Sequence, residues 1–341
     1  MKALATLAAA VALATAALPH GSDASGPVPE RYEFAAPHMG TTARLVVYAS
    51  HAEAEAAAQA AFVRLGELDQ RLSDYRDDIE IASLAEKAGG EVLPLGADLL
   101  VVLTSAQEMA RRSDGAFDVT VGPLSRLWRR ARRTGELPSP EELRSAVALV
   151  GYQDLFIDGA SRKARLKRAG MRLDLGGIAK GYAADEALQV FRSRGLDRAL
   201  VTLGGEVVAG SPPPGRDGWT VALRTPGPDQ APLSLRDAAA STSGDAEQWV
   251  EVAGRRYSHV FDPRTGQALV GRRSVTVVAR EGILADALAT ALSVLGPGRG
   301  LALVESFPGA AALWVEAGAA ATESSGWSAL PRHREAVTAT H

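Results

Sequence analysis

A globular fold that mixes strands and helices is what the sequence predicts, on three observations. Residues 31–50 alternate as paired strands do, residues 52–72 form a strongly helical run, and residues 171–194 read as strand end, glycine turn and helix. The 341 residues are 46% hydrophobic and 23% charged with 34 Gly, the balance of a soluble globular chain with room for one large domain or two smaller ones. A net charge of -3 and the lack of any long basic run speak against a nucleic-acid surface. The basic cluster Arg129, Arg130, Arg132 and Arg133 beside Trp128 reads as a helix end or loop, and is expected to be a solvated face. With no cysteine, disulfides, thiol nucleophiles and Cys-ligated zinc are excluded.

Taken in order, Met1-Lys2 and the Ala-, Leu- and Val-rich run from Ala3 to Leu18 read as a signal peptide, too short to span a membrane comfortably. Ser22-Asp23-Ala24 supplies small residues for cleavage after Ala24, which puts the mature start near Ser25, with Ala14-Thr15-Ala16 as the competing site. No lipobox cysteine follows. The expectation is an exported, periplasmic or cell-envelope protein, soluble once residues 1–24 are removed and without stable membrane insertion.

Arg31 to Ser50 then form two strands around the turn His38-Met39-Gly40-Thr41. The helix from Ala52 to Leu72 stops before Ser73-Asp74-Tyr75-Arg76-Asp77-Asp78, where Tyr75 is either a platform for a flat ligand or a lid over the core. Asp98 to Arg112 is an amphipathic helix closed by Ser113-Asp114-Gly115, Ala116 to Pro123 is expected to be extended, and Ser139-Pro140-Glu141-Glu142 starts a helix. Arg198 to Leu203 reads as a buried strand ending in Gly204-Gly205-Glu206, and Trp219–Arg224, Arg256–Asp262 and Ser274–Ala279 as further strands, with His259 near a strand end. Ala317–Ala321 and Arg332–His341 are expected to be loosely ordered.

Two stretches carry chemistry. In Arg172-Leu173-Asp174-Leu175-Gly176-Gly177-Ile178-Ala179-Lys180, glycines open a helix, Lys180 adds a mobile cation to its first turn and Asp174 is an acceptor just upstream. Free N–H groups and the helix dipole at such a mouth favour an anion, although neither the GxGxxG nor the GxxxxGK[ST] fingerprint is present. A tight strand-to-helix connection with a solvated Lys180 fits the same residues. The second stretch is the helix Ile283–Leu295, apolar except for Asp286, Thr290 and Ser293. Asp286 and Thr290 stand one turn apart on one face, and a buried carboxylate there needs a cation, a donor or water. Carboxylate and hydroxyl together suit a hard cation such as Mg²⁺, which shares its shell with substrate phosphates. Capping of a neighbouring loop by Asp286 explains the pattern equally well.

Eight segments in this order resemble the ApbE family of flavin transferases: Met39-Gly40-Thr41, Ser73 to Arg76, Gly115 to Pro123, Asp174 to Asp185, Leu203-Gly204-Gly205, Thr242 to Asp245, Tyr257 to Gly266 and Ala285 to Leu292. They run from about Arg31 to about Trp327, and eight in order are far more specific than any one. The resemblance implies an α+β fold of mixed or antiparallel sheets flanked by helices, with the active site in a cleft between two lobes. It implies one such domain over residues 25–330, followed by a loosely ordered tail over 331–341. It further implies transfer of FMN from FAD to a Thr or Ser hydroxyl of an acceptor protein, with AMP released and Mg²⁺ bound. Met39, Tyr75, Ala116, Phe117, Asp118, Asp174, Lys180 and His259 would contact FAD. The Gly177 backbone oxygen, Asp286 and Thr290 would hold the metal, and His259 and Asp286 would be the catalytic pair. The implied acceptor is an exported or membrane-anchored subunit of a respiratory or redox complex. Three positions depart from the family's pattern: Ala289 where a polar residue is frequent, and Thr202 and Ala85 where Asn is frequent.

Three functions are open to a chain of this kind. Phosphoryl transfer by positioning and charge neutralisation uses Asp286, Thr290 and a near-neutral His259 that takes the acceptor's proton or hydrogen-bonds a phosphate. Water in place of the acceptor would make an FAD pyrophosphatase. An exported FAD-binding protein without turnover would not need Asp286, Thr290 and His259.

Overall fold

The computed structural model describes residues 29–72, 80–226, 230–244, 249–252 and 254–333. Residues 1–28, which include the expected signal peptide, lie outside the described residues, as do Tyr75, Asp245 and the residues beyond His333. Strands and helices follow one another as β1 (Glu30–His38), β2 (Thr41–Ala49), α1 (His51–Leu72), α2 (Glu80–Glu86), β3 (Leu93–Pro94), α3 (Ala97–Arg112), α4 (Gly122–Thr134), α5 (Pro140–Val147), β4 (Leu155–Asp158) and β5 (Lys163–Leu166). After these come α6 (Ala179–Arg192), β6 (Ala199–Leu203), β7 (Glu206–Ala209), β8 (Trp219–Val221), β9 (Leu233–Leu235), β10 (Ala238–Gly244), β11 (Trp249–Val252), β12 (Arg255–Phe261), β13 (Ala268–Val270), β14 (Arg273–Ala279), α7 (Gly282–Glu305), β15 (Ala311–Glu316) and β16 (Thr322–Glu323).

The frame is an eight-stranded antiparallel sheet in the order β1-β2-β6-β7-β10-β14-β15-β16. Alternation assigns its side chains to two faces. Leu45 and Val47 of β2 and Val275 and Val277 of β14 join the main core under α1, α6 and α7. Val46 and Val278 face the other way, onto the β8–β9 hairpin, Trp219 and Trp327. Burying a side chain such as Leu45 or Leu65 contributes about 1.5–3 kcal/mol. A third core, Leu124, Trp128, Leu143, Ala146 and Ala268, ties α4 and α5 to the small sheet β11-β12-β13 and makes a second lobe. The α+β architecture expected from the resemblance is therefore present.

Local chemistry explains the elements that matter. Met39 and Gly40 both take positive φ, 49° and 72°, as a two-residue hairpin turn of primed type requires. Ser50 and Glu53 form a reciprocal cap on α1, and Ser139 and Glu142 do the same on α5. Helix α7 runs on past the expected end at Leu295, but breaks at Gly296, whose φ is 74°, before Pro297 opens a second segment. Long and apolar as it is, α7 buries Ala285, Ala287, Leu288, Ala291 and Leu292 in the main core.

Several expectations are corrected. Ala116 to Pro123 is not a strand: Asp118 folds back onto the Thr120 N–H, only Val121 bridges Arg172, and Gly122-Pro123 begins α4. Pro123 in the first turn of α4 marks a helix start rather than the end of an extended run. The arginine cluster, by contrast, is the helix end expected of it: it forms the C-terminal part of α4, which Gly135 closes in the left-handed region. Arg172 to Leu175 makes that single bridge rather than a strand end, and the strand from Trp219 stops at Val221. Ala317–Ala321 is the turn joining β15 to β16, with Ala317 donating to the Arg272 carbonyl. Arg332 is packed, bridging Leu233 and standing 5.0 Å over the Trp327 ring.

Candidate functional site

A cavity of about 1260 Å³ opens between the main sheet and the lobe of α4 and β12. The residues expected from sequence converge on it: Met39, Ala116, Phe117, Asp118, Asp174, Gly177, Lys180, His259, Asp286 and Thr290 all line its wall. Tyr75 belongs to a segment outside the described residues. Of the departures from the family pattern, Thr202 lines the cavity, whereas Ala289 is fully buried in the main core.

The hairpin turn brings Met39 to the cavity, and its N–H donates to Asp69 Oδ2 at 3.2 Å. Asp118 is committed within the protein. Its Oδ1 accepts from the Thr120 N–H and hydroxyl at 2.7 Å, and its Oδ2 from the Tyr152 N–H at 2.8 Å. Burial nevertheless pushes its carboxyl above the usual aspartate range. Asp174 accepts the Gly176 N–H at 2.8 Å, which shapes the glycine turn, and pairs with Arg129 at 2.8 Å. Arg129 and Arg132 line the cavity while Arg130 pairs with Glu142, so the supposed solvated cluster is divided by helical geometry. The spacing of Arg129 and Arg132, one turn apart, was the signal for a shared face.

Lys180 is not a solvated lysine. Its ammonium lies 2.7 Å from Glu206 Oε1 and 3.9 Å from Asp286 Oδ2, between two buried carboxylates. Glu206, read only as the residue after a double glycine, is a site residue that sequence reasoning missed. Its place opening β7 beside a buried strand was the available signal.

Asp286 is 4% exposed and accepts the Gly181 N–H at 3.0 Å, so what it caps is the first turn of helix α6 rather than a neighbouring loop. Burial, with Glu206 nearby and only partly offset by Lys180, raises its pKa to about 7. A carboxylate held so reluctantly is stabilised by a cation. Thr290 stands one turn on, and a Cβ built on Gly177 would come within 2.9 Å of its hydroxyl, so the turn lies directly against it. The Glu206 Oε2 is buried and has no hydrogen-bond partner among the described residues. Also among the described residues, no three His, Cys, Asp or Glu side chains converge. One carboxylate with neutral oxygens fits a hard cation that keeps waters and shares its shell with phosphate, better than it fits an all-protein cage.

These shifts fix a pH dependence. Asp286 and Asp185, the latter raised to about 6 by burial, hold protons more tightly when folded than the ordinary 3.8 of aspartate. Stability they contribute is therefore complete at low pH and lost as pH rises through their folded values. Asp98 runs the opposite way: burial would raise it, but hydrogen bonds from Arg64, Tyr182 and Arg71 hold it down to about 2, below the window concerned. In chelator, the melting midpoint is expected to rise as pH falls from about 8 to about 5, with Mg²⁺ at the upper pH recovering part of the difference. A flat profile in thermal denaturation would contradict the assignment.

The model of the ApbE family matches residues 39–314. A FAD:protein FMN transferase from Treponema pallidum is 36% identical over 297 residues, covering 81% of this chain and 82% of the relative. Another of that name from Vibrio cholerae is 34% identical, covering 71% of this chain and 74% of the relative. Among solved structures, an ApbE protein from Thermotoga maritima superposes with a TM-score of 0.81 at 31% identity, covering 89% of this chain and 100% of its own. The flavinyl transferase ApbE from Pseudomonas stutzeri superposes at 0.80 and 32% identity, covering 89% and 97%.

Proposed function

This chain belongs to the ApbE family, and on that premise we propose that it transfers FMN from FAD to a Thr or Ser hydroxyl of an acceptor protein, releasing AMP. The observation that carries the proposal is the meeting of Asp286, Thr290 and the Gly177 turn beside Lys180 in one cavity. Binding of FAD would use the wall formed by Met39, Ala116, Phe117, Asp118 and His259, with Tyr75 stacked on a flat part of the ligand. Asp286, Thr290 and the Gly177 carbonyl would hold Mg²⁺, which supplies charge neutralisation at the pyrophosphate. Lys180, already between two carboxylates, brings a cation to the same phosphates beside the glycine turn.

In the reaction the acceptor oxygen bonds to the phosphorus of the FMN half. The bond from that phosphorus to the bridging oxygen breaks, and its electron pair leaves with AMP. The hydroxyl proton passes to a base, for which His259 on β12 stands in the cavity wall. The apolar leader supports placing acceptor and reaction outside the cytoplasm, with the acceptor an exported or membrane-anchored subunit of a redox complex.

Incubating the protein with FAD and Mg²⁺, with and without a Thr-containing acceptor domain, tests the reading. AMP should form together with flavin fluorescence on the denatured acceptor. AMP without an acceptor would instead identify a pyrophosphatase, and FAD bound without AMP a carrier. Tyr75→Ala is expected to weaken FAD binding by about 1–3 kcal/mol, the worth of aromatic stacking. An unchanged affinity in calorimetry would return Tyr75 to a packing role.

A further inference from the structure

Helices α6 and α7 carry the same pattern, Gly181-x-x-x-Asp185 and Gly282-x-x-x-Asp286, and the two copies serve each other. Neither helix is capped by its own N-cap residue: Ile178 and Glu281 make no side-chain cap bond. Asp185 of α6 instead accepts the first N–H groups of α7, Gly282 at 2.7 Å and Ile283 at 2.9 Å. Asp286 of α7 accepts the Gly181 N–H of α6 at 3.0 Å. Glycine is required at both crossings. A Cβ on Gly181 would lie 2.1 Å from the Gly282 carbonyl oxygen, and one on Gly282 would lie 2.6 Å from that of Gly181.

The pairing continues at a spacing of four on both segments. Gly282 meets Asp185, Asp286 meets Gly181, and Thr290 meets Gly177. A four-residue step keeps one face of a helix in register, and a slip of one residue turns that face by about 100°. The far end of this ladder holds the side chains assigned above to the cation. Its near end is held by Asp185, whose two oxygens are both spent on α7.

We propose that Asp185 is a positioning residue for the cation site: by capping α7 it sets the register in which Asp286 and Thr290 meet the Gly177 turn. Asp185 touches neither ligand nor reacting atoms. Its effect passes through the seating of α7. This rests on the reading of Asp286 and Thr290 as cation ligands. Linkage adds a consequence, since a cap that favours cation binding must itself be stabilised by the cation, to the same extent.

Binding of Mn²⁺ alone, followed by electron paramagnetic resonance without FAD or acceptor, tests this in Asp185→Asn. That substitution keeps the size but offers an amide N–H to one of the two α7 donors. The expected result is a folded protein by circular dichroism, Mn²⁺ affinity lowered about tenfold, a typical scale for residues that orient metal ligands, and transfer largely restored by saturating Mg²⁺. Folded Asp185→Asn that binds Mn²⁺ like wild type would overturn the proposal and reduce Asp185 to a stability cap. Wild type that binds no Mn²⁺ would instead remove the premise. In the wild-type chain itself, Mg²⁺ should slow hydrogen exchange at Gly282 and Ile283 several-fold relative to chelator. Equal exchange rates there would overturn the proposal even if the variant failed to fold.

Discussion

Asp286→Asn is expected to lower flavin transfer by orders of magnitude while the fold survives. The amide keeps an oxygen to accept the Gly181 N–H, so the contact between α6 and α7 remains satisfied. What disappears is the charge that holds a hard cation, and each ~1.4 kcal/mol of transition-state stabilisation lost is a factor of ten in rate. The neutral side chain has no charge for burial to desolvate, the cost that raises the native carboxyl's pKa, so metal-free stability should be unchanged or higher and depend less on pH. FAD should still bind through the rest of the cavity wall, more weakly once its pyrophosphate charge is uncompensated. Transfer by this variant at the wild-type rate, measured as AMP released per acceptor flavinylated, would leave Asp286 as a cap alone.

The second large effect is expected at Gly181, which lies at the crossing itself. In Gly181→Ala the new methyl would stand 2.1 Å from the Gly282 carbonyl oxygen and 2.8 Å from the Asp286 Cβ, and the nearest of these is backbone that cannot rotate away. The helices must part, undoing the hydrogen bonds that Asp185 and Asp286 make across them. Overpacking of this kind costs about 1–3 kcal/mol or more, against which the better helix propensity of alanine returns at most about 1 kcal/mol. A net loss of about 2 kcal/mol in urea denaturation is therefore expected, with transfer falling further than stability. Gly159→Ala, where a Cβ meets nothing within 4 Å, is the control and should stay within about 0.5 kcal/mol of wild type. Equal stabilities for the two variants would contradict the close crossing.

Legibility in the sequence followed the range of the interactions. The β1–β2 hairpin, α1 and α6 were readable because alternation, helical spacing and turn glycines are local signals. Helix α4 was hidden because Gly122-Pro123 resembles the end of an extended run, and with it went the division of Arg129 and Arg132 from Arg130. Short strands such as β4, β5 and β16 carry too few residues for any period to show. At the site, Asp286 and Thr290 stood out as polar groups on an apolar helix, and motif resemblance brought Met39, Asp118, Asp174, Lys180 and His259 to the same cavity. Glu206 and Asp185 were not legible as partners. The residues that give them meaning lie far along the chain, Lys180 for the one and Gly282 with Ile283 for the other, and only the folded backbone brings them within 3 Å.

The measurement that bears most directly on the central claim is anomalous diffraction from crystals grown with FAD and Mn²⁺. A single strong peak within coordination distance of the Asp286 carboxylate, the Thr290 hydroxyl and the Gly177 carbonyl, beside the FAD pyrophosphate, is the predicted result. FAD ordered in the cavity with the manganese elsewhere, or with no manganese bound, would contradict it.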